Sequence, residues 1–141
     1  MKTMLRYAIP AFIALLAISG SLWSVWHPAP SARPRVIHCA HLQQDCSFNL
    51  NNRPVHLHFS IQPAGLTPFG LQVVAYANQV NASFSMQGMN MGTIRYALKS
   101  AAENQWQADI TLPVCVTGRQ DWLMMLDIDG RQVAIPFTST G

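Results

Sequence analysis

Residues 80–86 read Val-Asn-Ala-Ser-Phe-Ser-Met, with Val80, Ala82, Phe84 and Met86 at every second position and polar side chains between them. Successive side chains of a strand point to opposite faces, so this period of two describes a strand with one face buried. The pattern recurs. Residues 55–61 place Val55, Leu57, Phe59 and Ile61 against His56, His58 and Ser60, and residues 106–112 alternate through Trp106, Ala108, Ile110 and Leu112. Residues 71–76 and 122–128 are denser in apolar side chains and fit interior strands.

Turn residues separate these runs. Asp129-Gly130 is a two-residue hairpin signal between residues 122–128 and 131–137. Asn51-Asn52-Arg53-Pro54, Gln62-Pro63-Ala64-Gly65 and Thr117-Gly118 mark further turns. With residues 46–50, 93–99 and 131–137 added, the count is about eight strands, and no amphipathic helix of useful length accompanies them. The expected fold class is all-β, an immunoglobulin-like β-sandwich over residues 36–141.

The N-terminus follows another pattern. Residues 7–26 run 20 positions without a charge, a helix of about 30 Å at ~1.5 Å per residue and long enough to span a bilayer. Lys2 and Arg6 precede the run and Arg33 is the next charge, so the basic flank is expected to stay cytoplasmic and the remainder to be exported. Residues 1–26 are therefore expected to form a cytoplasmic stub and a single transmembrane helix. The rival is a cleaved signal peptide, for which Ser19-Gly20-Ser21 is a weak cleavage site and the tryptophans at 23 and 26 extend the run too far. Residues 27–35 hold three prolines and fit an extended linker.

Of the nine Lys and Arg, seven fall in residues 27–141 beside six Asp and Glu, leaving that part near +1. It has neither a basic cluster nor a stacking motif of the kind that binds nucleic acid. No GxSxG, HExxH or CxxC occurs, and Asp127 and Asp129 flank a turn rather than a cleft, so no enzyme is expected.

Three cysteines in an oxidising compartment imply one disulfide and one thiol left over. Cys39 and Cys46 are close in sequence, and Cys115 could instead pair with either. The remaining cysteine is then a reactive group, a ligand, an intermolecular partner or a small buried hydrophobe. His38 and His41 flank Cys39 in a pattern that could hold zinc, but only if Cys39 remains a thiolate. His56 and His58 share the outward face of one strand, where they form either a divalent-metal clip or a solvated polar surface.

Residues 85–96, SMQGMNMGTIRY, gather three of the seven methionines. Met86 continues the inward series of its strand and caps the core. Met89 and Met91 follow Gly88 in a loop closed by Gly92, where no core pattern accounts for them. Thioether sulfur is soft, uncharged and never protonated, so such a cluster selects Cu(I). The alternative is an adaptable contact surface, for which methionine is equally suited.

This stretch, with Leu98, Trp106, Ala108, Leu112-Pro113 and Trp122-Leu123 and the N-terminal apolar run, resembles the FixH/YtkA-like family of small membrane-anchored bacterial domains. The resemblance implies a sandwich fold in the periplasm on a single-pass inner-membrane anchor, and a link to copper handling or cytochrome oxidase assembly. It makes Met86, Met89 and Met91 the candidate Cu(I) ligands. Cys115 stands where that family more often has glycine or an apolar residue, and Cys39 and Cys46 are additional. The expected function is a tethered copper-binding accessory protein serving a membrane-protein partner. The alternative is a metal-free interaction module of a membrane complex.

Overall fold

A computed structural model describes residues 33–88, 92–114 and 118–140 of the chain. The stub and the apolar run at 1–26 lie outside these residues, as does the linker apart from its last three positions. Among the described residues, no helix is long and apolar enough to cross a membrane.

The described residues form ten strands, against the eight or so expected: β1 (Arg35–Val36), β2 (Cys46–Leu50), β3 (Arg53–Phe59), β4 (Phe69–Val74), β5 (Val80–Met86), β6 (Ile94–Ala97), β7 (Lys99–Ala102), β8 (Gln105–Ile110), β9 (Asp121–Ile128) and β10 (Arg131–Thr138). They make two five-stranded sheets, ordered β1-β10-β9-β5-β6 and β2-β3-β4-β8-β7. Neighbours are antiparallel except β1, which runs parallel to β10. Pro34–Gly141 is a compact unit of its own.

The inward series meet between the sheets. Val80, Ala82, Phe84 and Met86 of β5 are buried together with Trp122, Met124, Leu126 and Ile128 of β9, facing Val55, Leu57 and Phe59 of β3 and Phe69, Leu71 and Val73 of β4. Four phenylalanines join the layers: Phe59 lies 5.0 Å from Phe69 and 5.4 Å from Phe137, which lies 6.2 Å from Phe84. Tilted and edge-on contacts of this kind add about 0.5–1.5 kcal/mol per pair beyond burial.

Among the described residues three hairpins turn in two residues, and two of these turns are left-handed at both central positions. Asp129 and Gly130 take φ of 50° and 82°, and Asn51 and Asn52 take 52° and 60°. Left-handed φ at both central positions is the type I′ geometry that suits the strand twist, and Asn, Asp and Gly tolerate it best. These turns mark one end of the sandwich. Residues 60–68, 111–114 and 118–120, with Gln87 and Gly88, mark the other, here called the loop end.

The structure departs from the expected strands in three places. Residues 93–99, expected as one strand, belong to two: β6 lies on the edge of the first sheet and β7 on the edge of the second, with Leu98 buried between them and its N–H on Val80 O at 2.9 Å. A single extended stretch thus closes one side of the sandwich and shields both edges. On the opposite side, Cys39 follows β1 and Cys46 opens β2, and their disulfide spans the two sheets with a Cα–Cα distance of 5.6 Å. Ile61, expected on the buried face, is 46% exposed because β3 ends at Phe59, whose N–H bonds Leu42 O at 2.7 Å. β1 takes the final residue of the expected linker.

Candidate functional site

β5 and β9 pair up to Met86 opposite Trp122, and Gln87 N–H extends the ladder by donating to Asp121 O at 3.1 Å. The chain after β5 and the chain before β9 are therefore tied where they leave the sandwich. The first continues into the methionine loop and the second descends from the segment that carries Cys115. Met89, Met91 and Cys115 themselves lie outside the described residues.

The flanks have defined geometry. Gly88 and Gly92 take φ of 71° and 87°, a region closed to most side chains, so glycine at both positions lets the loop leave and rejoin the sheet. A Cβ at Gly88 would lie 3.8 Å from Arg119 Nη1, which sets Gly88 beside the 118–120 segment. Arg119 grips Asp121 as a fork, Nε to Oδ1 at 2.9 Å and Nη2 to Oδ2 at 2.5 Å. This bond holds the Asp121 carboxyl below its ordinary value of 3.8. Trp122 Nε1 donates to Ser139 Oγ at 3.2 Å beneath the site.

Met86 is 6% exposed and belongs to the core, as its strand parity assigns it. The histidines lie elsewhere. His38 and His41 are exposed on the segment that follows β1, and His56 and His58 sit on the outer face of β3 in the other sheet. β1 is separated from β5 by β10 and β9, roughly 14 Å at ~4.8 Å per strand. His56 Nδ1 is 3.1 Å from Asp45 Oδ2, and His58 pairs in register with Gln72. With Cys39 oxidised, His38 and His41 have no thiolate between them. Among the described residues, no three His, Cys, Asp or Glu gather around one point.

The disulfide between Cys39 and Cys46 leaves Cys115 as the odd cysteine. The loop end also carries an apolar surface that period-two reading misses. Leu66 is 68% exposed and Val114 58% exposed, both at the loop end. Leu66 takes φ of 59°, a strained conformation for leucine, and its N–H on Leu112 O at 2.9 Å holds it there. Gly65 abuts Val114, since a Cβ there would lie 2.8 Å from Val114 Cγ2. The Arg-x-Asp spacing of Arg119 and Asp121 is legible in sequence, whereas nothing in sequence marks Leu66.

Searches against known proteins found no matching protein-family model, no matching curated protein and no matching solved structure, so geometry and side-chain chemistry carry the functional reading.

Proposed function

We propose that the chain is a non-enzymatic, membrane-tethered periplasmic domain of immunoglobulin-like outline that holds Cu(I) at its loop end for transfer to a membrane-protein partner. Met89 and Met91 supply thioethers and Cys115 a thiolate, while Met86 stays in the core at the base of the loop. One observation supports this reading above the rest: the Gln87–Asp121 bond ties the flanks of the two sulfur-bearing segments side by side. The disulfide adds to it by consuming the other two cysteines.

Soft ligands suit monovalent copper, and exchangeable thioethers permit hand-over by ligand exchange. A tether raises the effective concentration of donor and acceptor without a strong interface. The likeness to the FixH/YtkA-like family belongs to the same proposal. Competitive Cu(I) titration of the full chain under reducing conditions tests it. Met89→Ala/Met91→Ala and Cys115→Ser are each expected to weaken binding, and affinities equal to wild type would defeat the reading.

A second reading rests on the exposed Leu66 and Val114, together with Ile61, at the same end. Here the loop end docks on a subunit of a membrane complex without metal. Association that survives chelation and is lost in Leu66→Ser/Val114→Ser would favour docking over copper.

A further inference from the structure

The opposite end of the sandwich carries a feature that copper chemistry does not use. Both type I′ turns are followed at once by arginine, Arg53 after Asn51-Asn52 and Arg131 after Asp129-Gly130. Each opens its returning strand two positions before an inward residue, Val55 in β3 and Val133 in β10, which are 2% and 1% exposed. Parity therefore turns both guanidinium groups toward the gap between the sheets, one from each layer. They line one cleft of about 310 Å³ together with Leu50, Asn51, Tyr76 and Asp129.

The charges in this cleft do not cancel. Asp129 spends its carboxylate on the hairpin end itself, Oδ1 accepting the N–H groups of Asn78 and Gln79 at 3.0 and 2.9 Å and Oδ2 accepting Asn78 N–H at 3.2 Å. Asp127 accepts Gly130 N–H at 2.8 Å and Gln132 Nε2 at 3.2 Å. Arg131 uses Nη1 on Asn51 Oδ1 at 2.8 Å, which bridges the two hairpins. Neither Arg53 nor Arg131 forms an ion pair among the described residues. Arg35 adds a further cation on the neighbouring edge strand, in register with Val133. Two guanidinium groups facing one gap repel each other, and an anion between them relieves that repulsion while satisfying planar forks that match phosphate oxygens.

We infer that this cleft binds a phosphate-bearing anion between Arg53 and Arg131, with the Tyr76 ring at its rim. A free phosphate and a phospholipid headgroup present the same chemistry. The chain enters the domain at this end, because β1 runs parallel to β10 from Arg35, and only residues 27–32 separate Arg33 from the apolar run.

The test uses the full chain in maltoside micelles at constant ionic strength, followed through the Nε resonances of its arginines. One arm adds inorganic phosphate, and the other adds phosphatidylglycerol to the micelles. The expected result is a saturable shift at Arg53 and Arg131 that Arg53→Gln or Arg131→Gln weakens about tenfold and Arg53→Lys weakens less, as loss of a charge-assisted fork predicts. Arg95→Gln, on the outer face of the first sheet, is expected to leave binding unchanged. Saturation by inorganic phosphate assigns a free anion; response to phosphatidylglycerol alone assigns a headgroup. No shift in either arm, or an equal response to sodium chloride, overturns the site. Localisation of the wild-type shifts decides the matter even if a glutamine variant fails to fold.

Discussion

Leu98→Ala removes the side chain at which one stretch of chain passes from the first sheet to the second. Leu98 is 6% exposed, and its backbone N–H bonds Val80 O at 2.9 Å, so truncation empties a buried site without touching the crossover hydrogen bond. Leucine-to-alanine changes in cores cost about 2–5 kcal/mol, the spread reflecting how far the surroundings collapse. The β6 edge can partly relax: its outer side is tied, among the described residues, by the Tyr96 hydroxyl on Thr111 O at 3.0 Å and the Thr111 N–H on that hydroxyl at 3.2 Å. A loss of about 3 kcal/mol is therefore expected. In a domain of this size each kcal/mol moves Tm by roughly 4–8 °C, so the midpoint falls by about 12–24 °C. Differential scanning calorimetry of the full chain in micelles measures it, and amide exchange at Leu98 reports whether the crossover opens first. Lys99→Ala, one position on and exposed, serves as control and should move the midpoint by a few degrees at most. A Leu98→Ala midpoint as close to wild type as that of the control would refute the idea that this crossover closes the sandwich.

Other perturbations separate the remaining parts of the account. Cys39→Ala/Cys46→Ala opens a loop of seven positions and is expected to cost about 2–3 kcal/mol, read as a lower denaturant midpoint with an unchanged native circular dichroism spectrum. Gly65→Ala brings a methyl within 2.8 Å of Val114 Cγ2, a side chain 58% exposed and able to turn aside, so a loss below about 1 kcal/mol is expected, with Val114→Ala removing it in a double-mutant cycle. Because Arg119 holds the folded Asp121 pKa below its ordinary 3.8, the pair's stabilisation is present above that value and is lost as pH falls through the lower folded value. Carboxyl carbon NMR should show Asp121 titrating below 3.8 in wild type and closer to it in Arg119→Gln; no difference between the two would remove the fork as the cause.

The strands were legible where one face is buried, and their partners were not. Val80 to Met86 alternates without a break, and the strand occupies those seven residues. Asp129-Gly130 announces its hairpin because few residue pairs tolerate two successive left-handed positions. Period two says nothing, however, about which sheet a strand joins. Leu98 keeps the parity of Ile94 and Tyr96, so the passage between sheets leaves no mark in the pattern. Likewise the separation of the histidines from β5 follows from strand order, which is set by long-range pairing. The choice among three cysteine pairings was also a matter of topology, decided by β1 and β2 lying on the same side of the two sheets. The arginines after the two type I′ turns gain meaning only once those turns are known to lie at the same end.

The central proposal is that sulfur at the loop end holds Cu(I). X-ray absorption of the Cu(I)-loaded full chain measures the ligand atoms directly. The account predicts a first shell of sulfur alone that loses sulfur in Met89→Ala/Met91→Ala. A first shell of nitrogen, unchanged by that substitution and abolished by His38→Ala/His41→Ala or His56→Ala/His58→Ala, would place the metal on the other side of the sandwich and contradict it.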